Sequence, residues 1–126
     1  MELLVLAGIA RKALDQLLRN PYRTIEIRSA KNVVVIQSLR PGERVFLTYE
    51  TSQDITHGTE GMIAEILKIE RMEQRIPWEE SDEREQTVCR VQLKLKGLGK
   101  VIEISKDGEI TKAKVREMFP HEMVIG

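Results

Sequence analysis

Residues 21–29 are Pro21-Tyr22-Arg23-Thr24-Ile25-Glu26-Ile27-Arg28-Ser29, and they carry the clearest local signal of secondary structure in the N-terminal part of the chain. Apolar and polar side chains alternate along it. Because successive side chains of a strand point to opposite faces of a sheet, the two isoleucines fall on one face, and Thr24, Glu26 and Arg28 fall on the other. The stretch therefore predicts a half-buried β-strand with a polar, charged outer face.

Upstream of this strand, the sequence predicts a short buried strand at residues 3–6 and then a helix. Gly8 ends the strand. The apolar residues between 9 and 18 follow helical spacing, and charged residues occupy the opposite side. Asn20-Pro21 ends the helix, because the residue before a proline avoids helical backbone angles.

Downstream of it, residues 32–39 are apolar and β-branched and fit either a strand or a short helix. Arg40-Pro41-Gly42-Glu43 predicts a turn, since proline fixes one backbone angle and glycine supplies the unusual one after it. A strand over 44–49 and a polar loop over 50–60 follow. In residues 61–75 the apolar spacing taken alone favours a helix slightly over a strand.

In the C-terminal part, residues 77–85 predict an acidic loop that contains Trp78. Residues 87–96 alternate cleanly and predict a strand, and a second strand over 98–104 pairs with it through the intervening glycines.

The end of the chain predicts one more turn, one helix and one strand. The turn occupies residues 106–109. Thr111 caps a short helix over 112–118, which Pro120 closes, and residues 123–125 form a last strand. No repeat or linker is visible, so residues 1–126 predict a single domain.

Composition excludes several classes of protein. Twenty basic and twenty acidic residues give no net charge, so whole-molecule attraction to nucleic acid or to an anionic membrane is not expected. The lone cysteine, Cys89, is expected to be buried and fits a reducing, cytoplasmic compartment. The N-terminus is too short and acidic for a signal peptide, and no apolar run approaches the ~20 residues that span a bilayer.

The sequence predicts neither a metal nor a cofactor. Two histidines and one cysteine lie far apart and give no metal-ligand spacing. No phosphate-binding loop, dinucleotide fingerprint or nucleophile elbow is present.

The motif in residues 21–28 resembles the ASCH signature G-x-K-x-x-E-x-R, a branch of the PUA-like superfamily. Glu26 and Arg28 match it, whereas Pro21 stands in place of the glycine and Arg23 in place of the lysine. The resemblance implies an α+β fold, a PUA-like small mixed β-barrel with two short helices, and a strand rather than a helix from Gly61 onward. The chain also resembles a small archaeal family of unknown function.

The same resemblance implies that the motif strand lines a cleft that binds RNA or a nucleotide. The implied ligand-binding residues are Arg23, Thr24, Glu26, Arg28, Ser29, Lys31 and Tyr49. Two guanidiniums beside one carboxylate could accept a phosphate and a base amino group, and a tyrosine could stack on a base. The alternative is that these alternating charges form cross-strand pairs that only protect a sheet edge.

A basic strand is the best candidate surface for the phosphates of a nucleic acid. Its cations are Arg90, Lys94, Lys96 and Lys100. About four such contacts on a single strand predict a log–log salt slope near −3.

Two other functions compete with RNA or nucleotide binding. Some ASCH proteins are amidohydrolases that act on acylated nucleosides, and Glu26 would then be the general base, although Arg23 cannot replace the motif lysine as a proton acceptor. A protein-interaction domain that docks a basic partner on the acidic residues 79–85 is the third hypothesis.

Overall fold

The computed structural model describes residues 1–77 and 83–118 and shows a mixed α+β protein. In chain order its elements are β1 (Glu2–Leu6), α1 (Arg11–Arg19), β2 (Tyr22–Ile27), α2 (Ala30–Gln37), β3 (Arg44–Leu47), β4 (Glu60–Pro77), β5 (Glu83–Asp107) and β6 (Ile110–Met118). The predicted α+β class is confirmed.

The strands of the described residues form one six-stranded sheet in the order β2-β5-β4-β3-β1-β6. The pair β1–β3 is parallel, and every other pair is antiparallel. Strand β6 pairs with β1 and also with the last part of β5. The pairings thus run through β1, β3, β4, β5 and β6 and return to β1, and β2 is attached to this circuit through β5.

Two hydrophobic clusters lie on opposite faces of the sheet, and the smaller one does not extend to β2. The larger cluster joins the apolar residues of both helices to side chains such as Val91 and Leu93 of β5. The smaller one lies on the other face and contains Phe46 and Ile55. Along β3 the faces alternate, since Phe46 joins the smaller cluster and its two neighbours join the larger one. Cys89 is buried, as predicted.

Both helices pack on the larger cluster. In α1, Leu17 is fully buried, and the helix ends at Asn20, whose amide donates to the carbonyl of Gln16. The undecided stretch at 32–39 is helical as far as Gln37, within α2, and Ser29 caps this helix by accepting a hydrogen bond from the amide of Asn32. Its β-branched residues are poor helix formers, and burial of the apolar side offsets that weakness.

Several other predictions are confirmed. The turn after α2 has Gly42 at φ 96°, the left-handed region that glycine favours. Residues 61–75 are a strand within β4, as the ASCH resemblance implies and the apolar spacing does not. The turn near residue 108 also forms, with Gly108 at φ 62°.

The prediction of two strands over 87–96 and 98–104 was wrong, because β5 continues through both glycines. Gly99 allows close packing of β5 and does not form a turn, because a Cβ there would lie 2.5 Å from Cγ1 of Val115 on β6. Gly97 lies where β4 and β5 shift register, and a Cβ there would meet no atom within 4 Å. Glycines inside a strand mark close approaches and bulges as well as turns.

The predicted helix over 112–118 was also wrong, because these residues form β6. Ala113 and Val115 are buried between exposed or half-buried basic residues, which is the period of a strand. Thr111 is buried at the start of this strand and does not cap a helix.

Three predictions fall on residues outside the described ranges: Trp78, the closing Pro120 and the strand over 123–125. Of the predicted acidic loop over 77–85, Pro77 belongs to β4 and residues 83–85 belong to β5, and residues 78–82 lie outside the described ranges. Within residues 1–77 and 83–118, neither helix has the length and apolar character that crossing a membrane requires.

Candidate functional site

The motif strand β2 pairs with β5 in a register that decides which side chains meet. Thr24 lies opposite Gln92, and Glu26 lies opposite Arg90. Ile27 is buried in the larger cluster, whereas Thr24 and Glu26 point to solvent. The predicted division of β2 into an apolar and a polar face is confirmed.

The carboxylate of Glu26 is shared by two arginines. Arg28 Nη2 lies 3.0 Å from Glu26 Oε2, and Arg90 Nε lies 3.3 Å from Glu26 Oε1. Both arginine side chains are 49% exposed, and that of Glu26 is 38% exposed. These three residues, here called the arginine cluster, present two cationic groups to solvent around a single anion.

The two guanidiniums also change the acidity of Glu26. The hydrogen bond from Arg28, then that from Arg90, holds the pKa of this carboxyl below its ordinary value. Glu26 therefore remains an ionised acceptor at neutral pH, and its low basicity opposes a role as general base.

The charges continue across the sheet to β4. Glu70 lies opposite Arg90, and Lys68 Nζ lies 2.9 Å from Glu70 Oε1. The hydrogen bond from Lys68 lowers the pKa of Glu70. The arginine cluster thus adjoins a neutral Lys–Glu pair on the same solvent-facing side of β2, β5 and β4.

A hollow of about 190 Å³ lies beside Glu26 and Arg28. It is also lined by residues of the segment from Gly8 to the first turn of α1, and by Ser29 and Asn32. The side-chain amide of Asn32 is buried and bonds to both the amide and the carbonyl of Ala7, which fixes the residue that precedes this segment. Ile25 and Ile27 line the hollow together with Glu26 and Arg28, so it lies at the end of β2 on the side that faces α1.

Two further predicted residues, Tyr49 and Lys31, do not line this hollow but belong to segments next to its lining residues. The amides of Gly8 and Ile9, in its wall, bond to carbonyls of the segment that contains Tyr49. The exposed ring of Tyr49 lies under the guanidinium of Arg11, at 4.5 Å from its centroid. Lys31, in the first turn of α2, contacts Ser52 Oγ at 3.4 Å.

Arg23 does not join the arginine cluster. Its Nη2 atom donates a hydrogen bond of 2.7 Å to Gln16 Oε1 on α1. The alternation of the strand explains this, because Arg23 shares the face of the two isoleucines. Its guanidinium therefore links β2 to α1 through this hydrogen bond.

The four cations of the predicted basic strand do not form one array. Arg90 belongs to the arginine cluster, and Lys94 lies over the ring of Tyr22 at 5.5 Å from its centroid. Lys96 is exposed beyond the last residue pair of β2 and β5. Lys100 lies where β5 pairs with Glu60 and Arg116, well along the strand.

Sequence reasoning missed the β4 and β5 partners of the motif, namely Lys68, Glu70 and Gln92. It also missed the pairing of Arg11 with Tyr49. Only the strand register and the helix position bring these residues to the motif. Within the described part of the chain, no group of three or more His, Cys, Asp or Glu residues could hold a metal ion.

Comparison with known proteins gives a family without a known function. The model of the family described as "Protein of unknown function (DUF473)" matches residues 1–115. An uncharacterized protein of Methanocaldococcus jannaschii is 30% identical over 102 residues, which are 81% of this chain and 66% of that protein. The predicted resemblance to an archaeal family of unknown function is in accord with both matches. Since the family model covers most of its length, the chain belongs to the DUF473 family of proteins of unknown function.

Proposed function

We propose that this protein binds single-stranded RNA or a modified nucleotide at the arginine cluster. The observation that carries the proposal is the sharing of Glu26 by Arg28 and Arg90, both half-exposed. Guanidinium groups bind phosphate through paired hydrogen bonds, and the carboxylate accepts from a base amino group.

At the level of the fold, we infer a PUA-like β-barrel of the ASCH type. The closed circuit of pairings through five strands supports this inference, since a sheet that returns to its first strand encloses a core. The motif strand β2 outside that circuit and the helices beside it support a cleft between sheet and helix.

The size of the hollow suits a part of a nucleotide. Its volume of about 190 Å³ is below the roughly 300 Å³ at which pockets begin to enclose a whole small ligand. It has room for one phosphate or one base, and the remainder of the ligand would extend over the exposed surface. Binding to a longer strand is therefore favoured over complete enclosure of one molecule.

The amidohydrolase hypothesis is less well supported. A general base at neutral pH needs a raised carboxyl pKa, whereas the pKa of Glu26 is lowered by Arg28 and Arg90. Arg23, at the position of the motif lysine, is bonded to Gln16. Turnover of an acylated nucleoside by the wild type, lost in Glu26→Gln, would reverse this preference.

Fluorescence anisotropy with a labelled single-stranded RNA of mixed sequence tests the proposal. We expect Arg28→Ala and Arg90→Ala to weaken binding several-fold at low salt. Each lost phosphate contact should also reduce the steepness of the log–log salt dependence by about 0.7. Lys106→Ala is the control, because it removes one exposed positive charge at the far end of β5.

Three results would contradict the proposal. The first is an affinity that salt does not change, and the second is no binding at all at low salt. The third is equal weakening by Lys106→Ala, which would show attraction to charge anywhere on the molecule.

A further inference from the structure

Two hollows meet on the solvent-facing side of β2, β5 and β4, away from the hollow beside α1. Their volumes are about 280 and 210 Å³. Both are lined by Thr24 and Gln92, which lie opposite each other on β2 and β5. Together they form one elongated depression along the sheet, here called the trough. The pair of Thr24 and Gln92 lies at its centre.

One end of the trough is aromatic and apolar. Tyr22 is 55% exposed and Leu67 is 36% exposed, although both are large hydrophobic residues. Lys94 Nζ lies 5.5 Å from the centroid of the Tyr22 ring. An exposed aromatic ring on a sheet face offers a flat surface on which a nucleic-acid base can stack.

The centre of the trough is polar and uncharged. Within residues 1–77 and 83–118, the side chains of Thr24 and Gln92 have no hydrogen-bond partner. A hydroxyl and an amide together offer donors and acceptors side by side. They can therefore bind the edge of a planar heterocycle lying against the neighbouring ring.

The other end of the trough is ionic. Arg90 lines it together with the Lys68–Glu70 pair. Among the residues described, the only hydrogen-bond partner of the Arg90 guanidinium is Glu26, through Nε. The rest of the guanidinium can bind a phosphate while that bond holds its position.

We infer that the trough is a base-binding site for single-stranded RNA. One unpaired base stacks on Tyr22, its edge bonds to Gln92 and Thr24, and the backbone phosphate beside it binds Arg90. This inference rests on the proposed function, because Arg90 belongs to both the trough and the arginine cluster. It extends that function from contact with phosphate to recognition of a base.

The position of the trough argues for RNA over a peptide. An extended peptide that adds to a sheet pairs with the backbone of an edge strand. The trough lies on a face, above the pairings of β2 with β5 and β5 with β4. Its floor therefore offers side chains and an aromatic surface, which suit a planar base.

Anisotropy with labelled homopolymers of U, A and C, each about 12 nucleotides long, tests the inference. We expect Tyr22→Ala to weaken binding about tenfold, as the loss of one stacked base does, while the salt slope stays unchanged. Tyr22→Phe keeps the ring and should bind within about twofold of the wild type. Gln92→Ala should change the ratio of affinities among the three homopolymers.

Ile102→Ala is the matched control, because Ile102 is a similarly exposed large side chain elsewhere on β5. All these side chains are exposed, so thermal melting should show every variant folded. If Tyr22→Ala binds like the wild type while Arg28→Ala is weakened, the base-binding inference fails and the proposed function survives. If the wild type binds none of the homopolymers, both fail.

Two further outcomes would overturn the inference. Loss of binding on Tyr49→Ala instead of Tyr22→Ala would place the stacking at the hollow beside α1. Mononucleotides that bind as tightly as the homopolymers would make the occupant a free nucleotide.

Discussion

The two faces of the β2–β5 pair differ although they are built from alternate residues of the same strands. On one face, Ile27 and Leu93 are buried under the helices. On the other face, Glu26 is exposed and pairs with Arg90, and Gln92 is exposed and lines the trough. Stability and binding can therefore be changed separately, because a step of one residue along either strand moves a substitution from the buried face to the solvent-facing one.

The strongest test of this separation uses adjacent residues of β5. Leu93 is fully buried, so Leu93→Ala should lower the free energy of unfolding by about 2–5 kcal/mol. Gln92→Ala, one residue away on the solvent face, should change it by less than about 0.5 kcal/mol. Urea denaturation measures both values, and similar losses in the two variants would show that the faces are not distinct in stability.

A second pair of substitutions compares a tightly packed glycine with an open one. A Cβ at Gly61 would collide with the carbonyl oxygen of Leu47 and lie 2.6 Å from the ring of Phe46. Because a backbone atom cannot move aside cheaply, Gly61→Ala should lower the free energy of unfolding by about 1–3 kcal/mol. Gly97→Ala, which meets no atom within 4 Å, is the control and should be neutral or slightly stabilising.

Thermal melting of the two glycine variants decides the outcome. A loss in Gly97→Ala as large as that in Gly61→Ala would mean that the β-bulge between β4 and β5, and not close packing, requires glycine.

The sequence predicted the faces of β2 because strict alternation is a local signal. It could not predict that Glu26 would meet Arg90, since that contact joins residues 64 positions apart through the register of two strands. Lys68 and Gln92 were missed for the same reason. The candidate site was therefore predictable along one strand and not across the sheet.

Where local signals conflicted, tertiary pairing decided the structure. Residues 112–118 contain good helix formers such as lysine, alanine and methionine, yet they also place Ala113 and Val115 two residues apart. Pairing of β6 with both β1 and β5 favours the strand. In α2 the opposite happened, because the Ser29 cap and burial against the sheet outweighed a β-branched sequence.

The smallest expected effect concerns the acidity of Glu26 on the solvent face. The pKa of Glu26 is lower in the folded protein than its ordinary value of 4.5. The ion pairs with Arg28 and Arg90 therefore stabilise the fold fully above pH 4.5, and this stabilisation is lost as the pH falls through the lower pKa of the folded state. An NMR titration should place the midpoint of Glu26 below 4.5, and Arg28→Ala should raise it, while Lys106→Ala should leave it unchanged. A midpoint at or above 4.5 in the wild type would mean that the two arginines do not hold this carboxylate, and the charged face would then be only a solvated surface.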